Sequence, residues 1–144
     1  MGEFQLEMTV TRPRAEVFDY LADVRNTPAW YSAIRSAEQL DGTAPGPRAA
    51  YRISRQLPGG TTEDIVRTLE FDPPRVFAFG TDSGRTPFRY RYSLEGDEAA
   101  TTVHLDAAIE LSGPASLLGP VATLAFKRGM QDNLDALRRI LEQP

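Results

Sequence analysis

The sequence predicts an α+β fold in which one antiparallel sheet of about seven strands is followed by a single long helix. Three observations predict it. An alternating strand opens the chain and leads into two short helices, residues 48–112 form a meander with a turn roughly every 12 to 15 residues, and residues 120–142 repeat apolar side chains every three or four positions. No helical segment separates the meander strands, which disfavours a doubly wound parallel sheet.

The first 34 residues combine a strand with two short helices. Residues 4–10 alternate apolar and polar side chains, as a half-buried strand does. Pro13 suits the first turn of a helix. The apolar face of that helix is predicted to hold Val17, Phe18, Leu21 and Val24. Thr27 and Pro28 then predict a second helix with Thr27 as its cap and Pro28 at its first position. The second apolar face is formed by Trp30 and Ile34.

The middle of the chain predicts six further strands punctuated by glycine and proline. The predicted strands cover residues 35–41, 49–57, 62–71, 76–81, 88–94 and 101–111. Alternation places the apolar side chains of each strand on one face. The inner face is predicted to hold Tyr51, Ile53, Leu57, Ile65, Leu69, Phe71, Phe88, Tyr90, Tyr92, Leu94, Val103, Leu105, Ala107, Ile109 and Leu111.

Two arginines, Arg55 and Arg67, fall in phase with the apolar residues of their strands. If the turn after Leu57 pairs that residue with Thr61, Arg55 lies opposite Glu63 near the sheet edge, which is a structural pair. Arg67 is nearer the middle of the sheet. A buried guanidinium needs a partner, so Arg67 is predicted to meet a carboxylate, a tyrosine or a ligand anion.

The C-terminal helix is predicted over residues 120–142. Its core-facing stripe comprises Leu118, Ala122, Phe126, Met130, Leu134, Leu137 and Leu141. The first half carries a second apolar side, which predicts burial on more than one face there. That second side comprises Leu117, Val121, Leu124 and Ala125. Gly129 lies on the stripe, where it either admits a close backbone approach or leaves room for a ligand.

Composition limits the classes of function. The 144 residues suit one domain, 1–144, and the net charge of −4 argues against nucleic-acid partners. The chain has no cysteine, and no apolar run is long enough to cross a membrane. We expect a cytoplasmic protein with no cofactor. His104 is the single histidine and is predicted to face outward, so no metal site is expected.

Residues 10–34 resemble the opening of the polyketide cyclase/dehydrase and lipid-transport family of START-like (Bet v 1-like, SRPBCC) domains. The resemblance rests on Arg12-Pro13, Val17-Phe18, Leu21-Ala22-Asp23 and Trp30, and the ending 133–138 reinforces it. It implies a helix-grip fold, in which the curved sheet wraps around the C-terminal helix and leaves a cavity. The family includes carriers, cyclases, chaperone regulators and quinone-binding proteins, so the resemblance leaves the activity open.

This resemblance and the alternation together give a candidate ligand site. We expect the ligand to contact Trp30, Tyr51, Arg67, Leu69, Phe88, Tyr90, Tyr92, Phe126 and Met130. Tyrosines and one arginine facing an apolar cavity suit an oxygenated aromatic or lipid-like molecule. The cavity mouth is predicted near Trp30 and the loops 42–47 and 82–87. Weak catalytic candidates are Arg67, which would stabilise an enolate, and Tyr90 and Tyr92, which would move a proton.

Three hypotheses of function remain open at this stage. The first is a protein, monomeric or homodimeric, that binds a small hydrophobic or aromatic molecule. The second is a polyketide aromatase/cyclase or dehydratase. The third is a regulator that binds a protein partner, which requires an exposed apolar patch on the outer sheet face; Arg52, Ser54, Gln56 and Arg91 argue against such a patch.

Overall fold

The computed structural model describes residues 2–40, 44–57, 59–81, 87–110 and 119–143, and it confirms the predicted fold. The sheet comprises β1 (Gly2–Val10), β2 (Ile34–Gln39), β3 (Ala50–Leu57), β4 (Gly60–Asp72), β5 (Val76–Thr81), β6 (Phe88–Gly96) and β7 (Thr101–Ile109). The helices are α1 (Arg14–Leu21), α2 (Thr27–Trp30) and α3 (Gly119–Leu141), with a 3₁₀ turn at Val24–Asn26 between the first two.

All seven strands form one antiparallel sheet in the order β1-β7-β6-β5-β4-β3-β2. Every strand from β2 to β7 neighbours the next one in sequence, and β1 then pairs with β7. The inner faces of β6 and β7 are as the alternation predicts, with side chains buried at Phe88, Tyr90, Tyr92, Leu94, Val103, Leu105, Ala107 and Ile109. Leu111 lies outside the described residues.

The short helices after β1 close one end of the core. Val17, Phe18, Leu21 and Val24 are all buried, as are Trp30 and Ile34. The predicted cap at Thr27 is wrong. Asn26 precedes α2 as its cap residue, and the buried hydroxyl of Thr27 donates to the carbonyl of Val24 at 2.7 Å. The 3₁₀ turn before it leaves that carbonyl as a local acceptor, so the hydroxyl bonds backward instead of capping forward.

The C-terminal half of α3 is held tightly against the rest of the molecule. Met130, Leu134, Leu137 and Leu141 are buried in the core. Beyond the helix end, Arg12 Nη2 donates to the carbonyls of Glu142 at 2.9 Å and Gln143 at 3.1 Å. The Glu142 carboxylate accepts from the Thr11 amide and hydroxyl. These bonds occupy carbonyls that a helix end otherwise leaves without partners.

The N-terminal half of α3 is not buried on two faces as the sequence predicts. Val121 is 68% exposed and Leu124 is 47% exposed. A single sheet covers only one side of the helix, so the second apolar side has no layer against which to pack. Leu117 and Leu118 lie outside the described residues.

The predicted register of the β3–β4 hairpin is wrong by one residue. Leu57 pairs with Gly60 and not with Thr61, and Arg55 pairs with Thr62. A one-residue shift moves every side chain to the opposite face. Asp64, Val66 and Thr68 therefore face inward, whereas Ile65, Arg67 and Leu69 face solvent.

Phe71 still faces inward, as the sequence predicts, because β4 contains a bulge. The register with β5 shifts between Thr68 and Glu70, which inserts one residue and restores the predicted phase beyond it. The Phe71 ring then packs edge-on against Phe18, with their ring centroids 5.5 Å apart.

Substitution of Gly80 tests how closely β5 and β6 approach each other. A Cβ at Gly80 would clash with the carbonyl oxygen of Phe88, which is backbone and cannot move aside. We expect Gly80→Ala to lower the free energy of unfolding by about 1–3 kcal/mol in urea denaturation. Gly129→Ala is the control. Its Cβ meets nothing within 4 Å, so it should raise that free energy by about 0.5–1 kcal/mol. Equal effects of the two substitutions would contradict the described strand spacing.

Candidate functional site

A cavity of about 260 Å³ lies between the sheet and the N-terminal half of α3. The helix contributes Ala122, Ala125, Phe126, Gly129, Met130 and Asn133 to its wall. The strands contribute Arg55, Leu57, Phe88, Tyr90 and Ile109, and the segment after α2 contributes Tyr31, Ser32 and Ala33. The wall is mostly apolar with a few polar groups, as in small-molecule sites of other proteins. The volume equals that of roughly nine liquid waters, which suits a small ligand.

The short side chains of α3 create this space. Gly129 lines the cavity, and a Cβ there would meet no atom within 4 Å. Of the two explanations that the sequence leaves open, the structure therefore supports room in the cavity. Ala125 faces the same space one turn before Gly129, and Ala122 faces it two turns before Gly129. The helix stands away from the sheet here because these residues have little side chain with which to fill the gap.

The charged group in the cavity wall is Arg55, which is paired with Asp64. Arg55 Nε donates to Asp64 Oδ2 at 2.9 Å, and the two side chains are only 6% and 3% exposed. The Thr62 hydroxyl donates to the same carboxylate oxygen at 3.0 Å. The guanidinium carbon lies 4.7 Å from the ring centroid of Phe88, in a cation–π arrangement. Removing one partner of such a buried pair typically costs about 3–5 kcal/mol of stability.

A pair of phenols forms the second polar feature of the wall. The Tyr31 hydroxyl donates to the Tyr90 hydroxyl, with 2.7 Å between their oxygens. Both side chains are buried and both line the cavity. A hydroxyl that accepts a hydrogen bond keeps its own proton for another acceptor. Tyr90 is therefore placed to donate to a ligand oxygen.

Burial keeps these phenols protonated at neutral pH. It raises the pKa of Tyr90 to about 12, even though the bond from Tyr31 and the charge of Arg55 act in the opposite direction. Burial also raises the pKa of Tyr31 and that of Tyr92 well above the ordinary value. Tyr90 and Tyr31 are thus hydrogen-bonding groups at pH 7 and not bases.

Asn133 joins α3 to the segment after α2 at the cavity wall. Its Oδ1 accepts from the Ser32 amide at 3.1 Å, and its Nδ2 lies 3.3 Å from the Met130 sulfur. The side chain is buried. Both ends of the amide have partners within the protein, so Asn133 fixes the position of the helix relative to the segment after α2.

The structure divides the sequence-predicted site residues into three groups. The first group, which lines the cavity, is Phe88, Tyr90, Phe126 and Met130. The second group is buried in the core without lining the cavity, and it comprises Trp30, Tyr51 and Tyr92. The third group lies on the outer face of the sheet, where Arg67 is exposed and Leu69 is 50% exposed. The inward placement of Arg67 and Leu69 is therefore wrong, because of the register shift in β4.

Sequence patterns did not assign four residues to the cavity wall or its support, namely Arg55, Asp64, Tyr31 and Asn133. Arg55 was assigned to an edge pair with Glu63, but its partner is Asp64 and the pair is buried. Tyr31 and Asn133 were not singled out. The one indication in the sequence was that Arg55 falls in phase with the apolar residues of its strand. Only the correct register of the β3–β4 hairpin identifies Asp64 as its partner.

The outer face of the sheet carries charged side chains and two exposed apolar ones. Glu70 Oε1 accepts from Arg91 at 2.9 Å and from Arg89 at 3.0 Å. Ile65 and Leu69 are exposed nearby on β4. His104 faces outward as predicted, with Nδ1 3.2 Å from a carboxylate oxygen of Glu7. Within the described part of the chain, no cluster of three or more acidic or histidine residues could hold a metal ion, and no helix could cross a bilayer.

Comparisons with known proteins agree with this architecture. The family model described as polyketide cyclase/dehydrase and lipid transport matches residues 1–142. No curated protein matches the chain. Among solved structures, TTHA0849 from Thermus thermophilus superposes with a TM-score of 0.81 at 17% identity, over 96% of each chain.

Two other solved structures have more descriptive names. A Streptomyces protein, the ZhuI aromatase/cyclase, superposes with a TM-score of 0.76 at 17% identity over 97% of this chain and 93% of its own. A START superfamily protein from Mycobacterium smegmatis superposes with a TM-score of 0.75 at 16% identity over 99% of both chains. At these identities the likeness shows the fold.

The buried phenols predict a loss of stability at high pH. Above pH 10 the unfolded tyrosines ionise while Tyr90 keeps its proton to about pH 12, so the unfolded state binds fewer protons. The free energy of unfolding should fall as the pH rises through that window, by about 1.4 kcal/mol per pH unit for each such phenol. Urea denaturation between pH 8 and about pH 11 measures this slope.

Tyr90→Phe should reduce that slope by about one phenol's share, since it removes one titrating group. Tyr20→Phe is the control, because Tyr20 is only partly buried and should change the slope less. The chain has a single lysine, Lys127, so few other groups titrate in this range. An unchanged slope in Tyr90→Phe would contradict the burial of its hydroxyl.

Proposed function

Because the chain belongs to the polyketide cyclase/dehydrase and lipid transport family, we propose that it binds a small hydrophobic or aromatic molecule between the sheet and α3. The observation that carries this proposal is the apolar cavity of about 260 Å³ under Gly129. Buried side chains such as Arg55, Phe88 and Tyr90 line this space, and a mostly apolar wall with a few polar groups is typical of small-molecule sites.

Binding would be driven by apolar burial and oriented by a few polar groups. Transfer of apolar ligand surface from water contributes about 25 cal/mol per Å². The Tyr90 hydroxyl supplies a hydrogen bond to a ligand oxygen, and the aromatic rings of Phe88 and Phe126 supply flat surfaces for an aromatic ring. Phe88 and Tyr90 are buried and Phe126 is partly buried before any ligand binds, which lowers the entropic cost of binding.

A polyketide aromatase/cyclase is the second candidate. The likeness in fold to proteins so named, together with Arg55 and Tyr90 in the same cavity, favours it. Hydrogen bonds from a phenol to a carbonyl would stabilise an enolate as it forms. Against this, the described residues that line the cavity include no histidine, carboxylate or lysine to serve as a base. Simple binding is therefore the function that the geometry favours.

The proposal also covers the partners, the location and the oligomeric state of the protein. The acidic net charge of −4 supports the expectation that it has no nucleic-acid partner. A cytoplasmic location and a monomeric or homodimeric state stay predictions. The exposed Ile65 and Leu69 make the outer face less polar than the sequence indicates, but Arg67, Arg89 and Arg91 surround them. A partner-binding regulator is not favoured over a binding protein.

A larger side chain in the cavity should weaken ligand binding without lowering the free energy of unfolding. Gly129→Leu places a side chain in the empty space, and we expect it to weaken the binding of 2-naphthol at least about tenfold, since the ligand and the side chain compete for one volume. Arg128→Leu is the matched control, because Arg128 is the exposed neighbour on the same helix. Titration of tryptophan and tyrosine fluorescence with 2-naphthol, alongside urea denaturation, measures both properties. Equal affinities in the two variants would place the ligand elsewhere.

Two further substitutions distinguish binding from catalysis. Arg67→Ala should leave both affinity and turnover unchanged, since Arg67 lies on the outer face. Tyr90→Phe should weaken binding of a ketone ligand several-fold if the Tyr90 hydroxyl bonds its oxygen. Chromatography and mass spectrometry of a poly-β-ketone analogue incubated with the protein detect any cyclised product. Turnover in the wild type that Tyr90→Phe loses while it retains affinity would favour the cyclase.

A further inference from the structure

The cavity wall is electrically balanced before any ligand enters. Arg55 lines the cavity, and Asp64, which does not contact it, pairs with Arg55 through a 2.9 Å hydrogen bond. Both side chains are almost wholly buried, so water screens neither charge. The described lining residues carry no other charge. One positive and one negative charge therefore cancel at the wall.

This charge balance determines how a charge on the ligand would change the free energy of binding. A carboxylate in the cavity would bring a second negative charge to a guanidinium that already serves Asp64. An unmatched charge in a mostly apolar site weakens binding unless a new partner compensates it. A neutral ligand of the same shape has no such penalty, because it displaces no partner from the ion pair.

The Tyr90 hydroxyl in the wall favours a neutral ligand that carries an oxygen. Tyr90 accepts from Tyr31, so its own proton is available to an acceptor in the cavity. A carbonyl, amide or ether oxygen can accept that proton without bringing charge. The Asn133 amide has Oδ1 bonded to the Ser32 amide and Nδ2 near the Met130 sulfur, which leaves one N–H of Nδ2 that can also donate to a neutral ligand oxygen.

We propose that Asp64, by neutralising Arg55 from behind the cavity wall, makes the site select neutral oxygen-bearing aromatic ligands over carboxylates of the same shape. Asp64 is thus a specificity-determining residue that does not touch the ligand. This inference rests on the proposed binding function. It differs from a purely structural role for the pair, because under a structural role removal of the Asp64 charge would leave the preference between neutral and charged ligands unchanged.

The wild-type protein tests the proposal without any substitution. The probes are 2-naphthamide and 2-naphthoate, which have nearly the same shape and differ in charge at pH 7.5. Calorimetric titration at fixed ionic strength should show 2-naphthamide binding at least about tenfold more tightly. Equal affinities, or a preference for 2-naphthoate, would overturn the role of Asp64 and leave the binding function intact. Failure of both probes and of 2-naphthol to bind would instead overturn the binding function, and this inference with it.

Removing the Asp64 charge should abolish or reverse the preference. In Asp64→Asn the guanidinium no longer faces the Asp64 charge, so a 2-naphthoate carboxylate adds less negative charge to the wall, and we expect its affinity to rise at least about tenfold while that of 2-naphthamide does not rise. Glu63→Gln is the matched control. Glu63 is the exposed neighbour on β4, and the substitution also removes one negative charge but should leave the ratio of affinities unchanged.

The wild-type comparison stays decisive if Asp64→Asn folds poorly, and Arg55→Gln tests the same pair from its other side. Arg55→Gln removes the positive charge from the wall, so the preference for 2-naphthamide should widen beyond that of the wild type. Melting temperatures with and without each probe report the same contrast, since 2-naphthoate should raise the midpoint of Asp64→Asn more than it raises that of the wild type. A preference that stays the same in both variants would overturn the proposal.

Discussion

The structure depends on how α3 meets the sheet. Its C-terminal half is fixed by the buried side chains Met130, Leu134 and Leu137 and by the bonds from Arg12 to the carbonyls beyond the helix end. Its N-terminal half carries alanines and Gly129 on the inner side, so the same helix cannot close onto the strands there. One rigid helix with a large-residue half and a small-residue half therefore produces both the core and the cavity.

The polar groups of the cavity wall are organised by the protein itself. Asp64 holds Arg55, Tyr31 holds Tyr90, and the Ser32 amide holds Asn133. Each of these buried groups has a partner, which avoids the cost of desolvating it alone. The site thus combines an apolar interior with hydrogen-bonding groups of fixed position, and this combination is what a small oxygenated ligand requires.

Much of the fold could be predicted because it depends on local patterns. The alternation of β6 and β7 and the helical face of Val17 and Phe18 are both satisfied in the structure. The apolar side of Val121 was predicted to be buried and is exposed, since helical periodicity says which residues share a face but not how many layers cover the helix.

The order of elements, the inner faces of most strands, and the presence of an arginine among apolar residues all follow from local sequence patterns. Which arginine faces the cavity depends on how the strands pair in three dimensions. The hairpin after Leu57 is one residue tighter than its glycines indicate, and that shift sends Arg67 outward and brings Asp64 inward to Arg55. Register depends on cross-strand pairing and packing against α3, which the pattern within one strand does not contain.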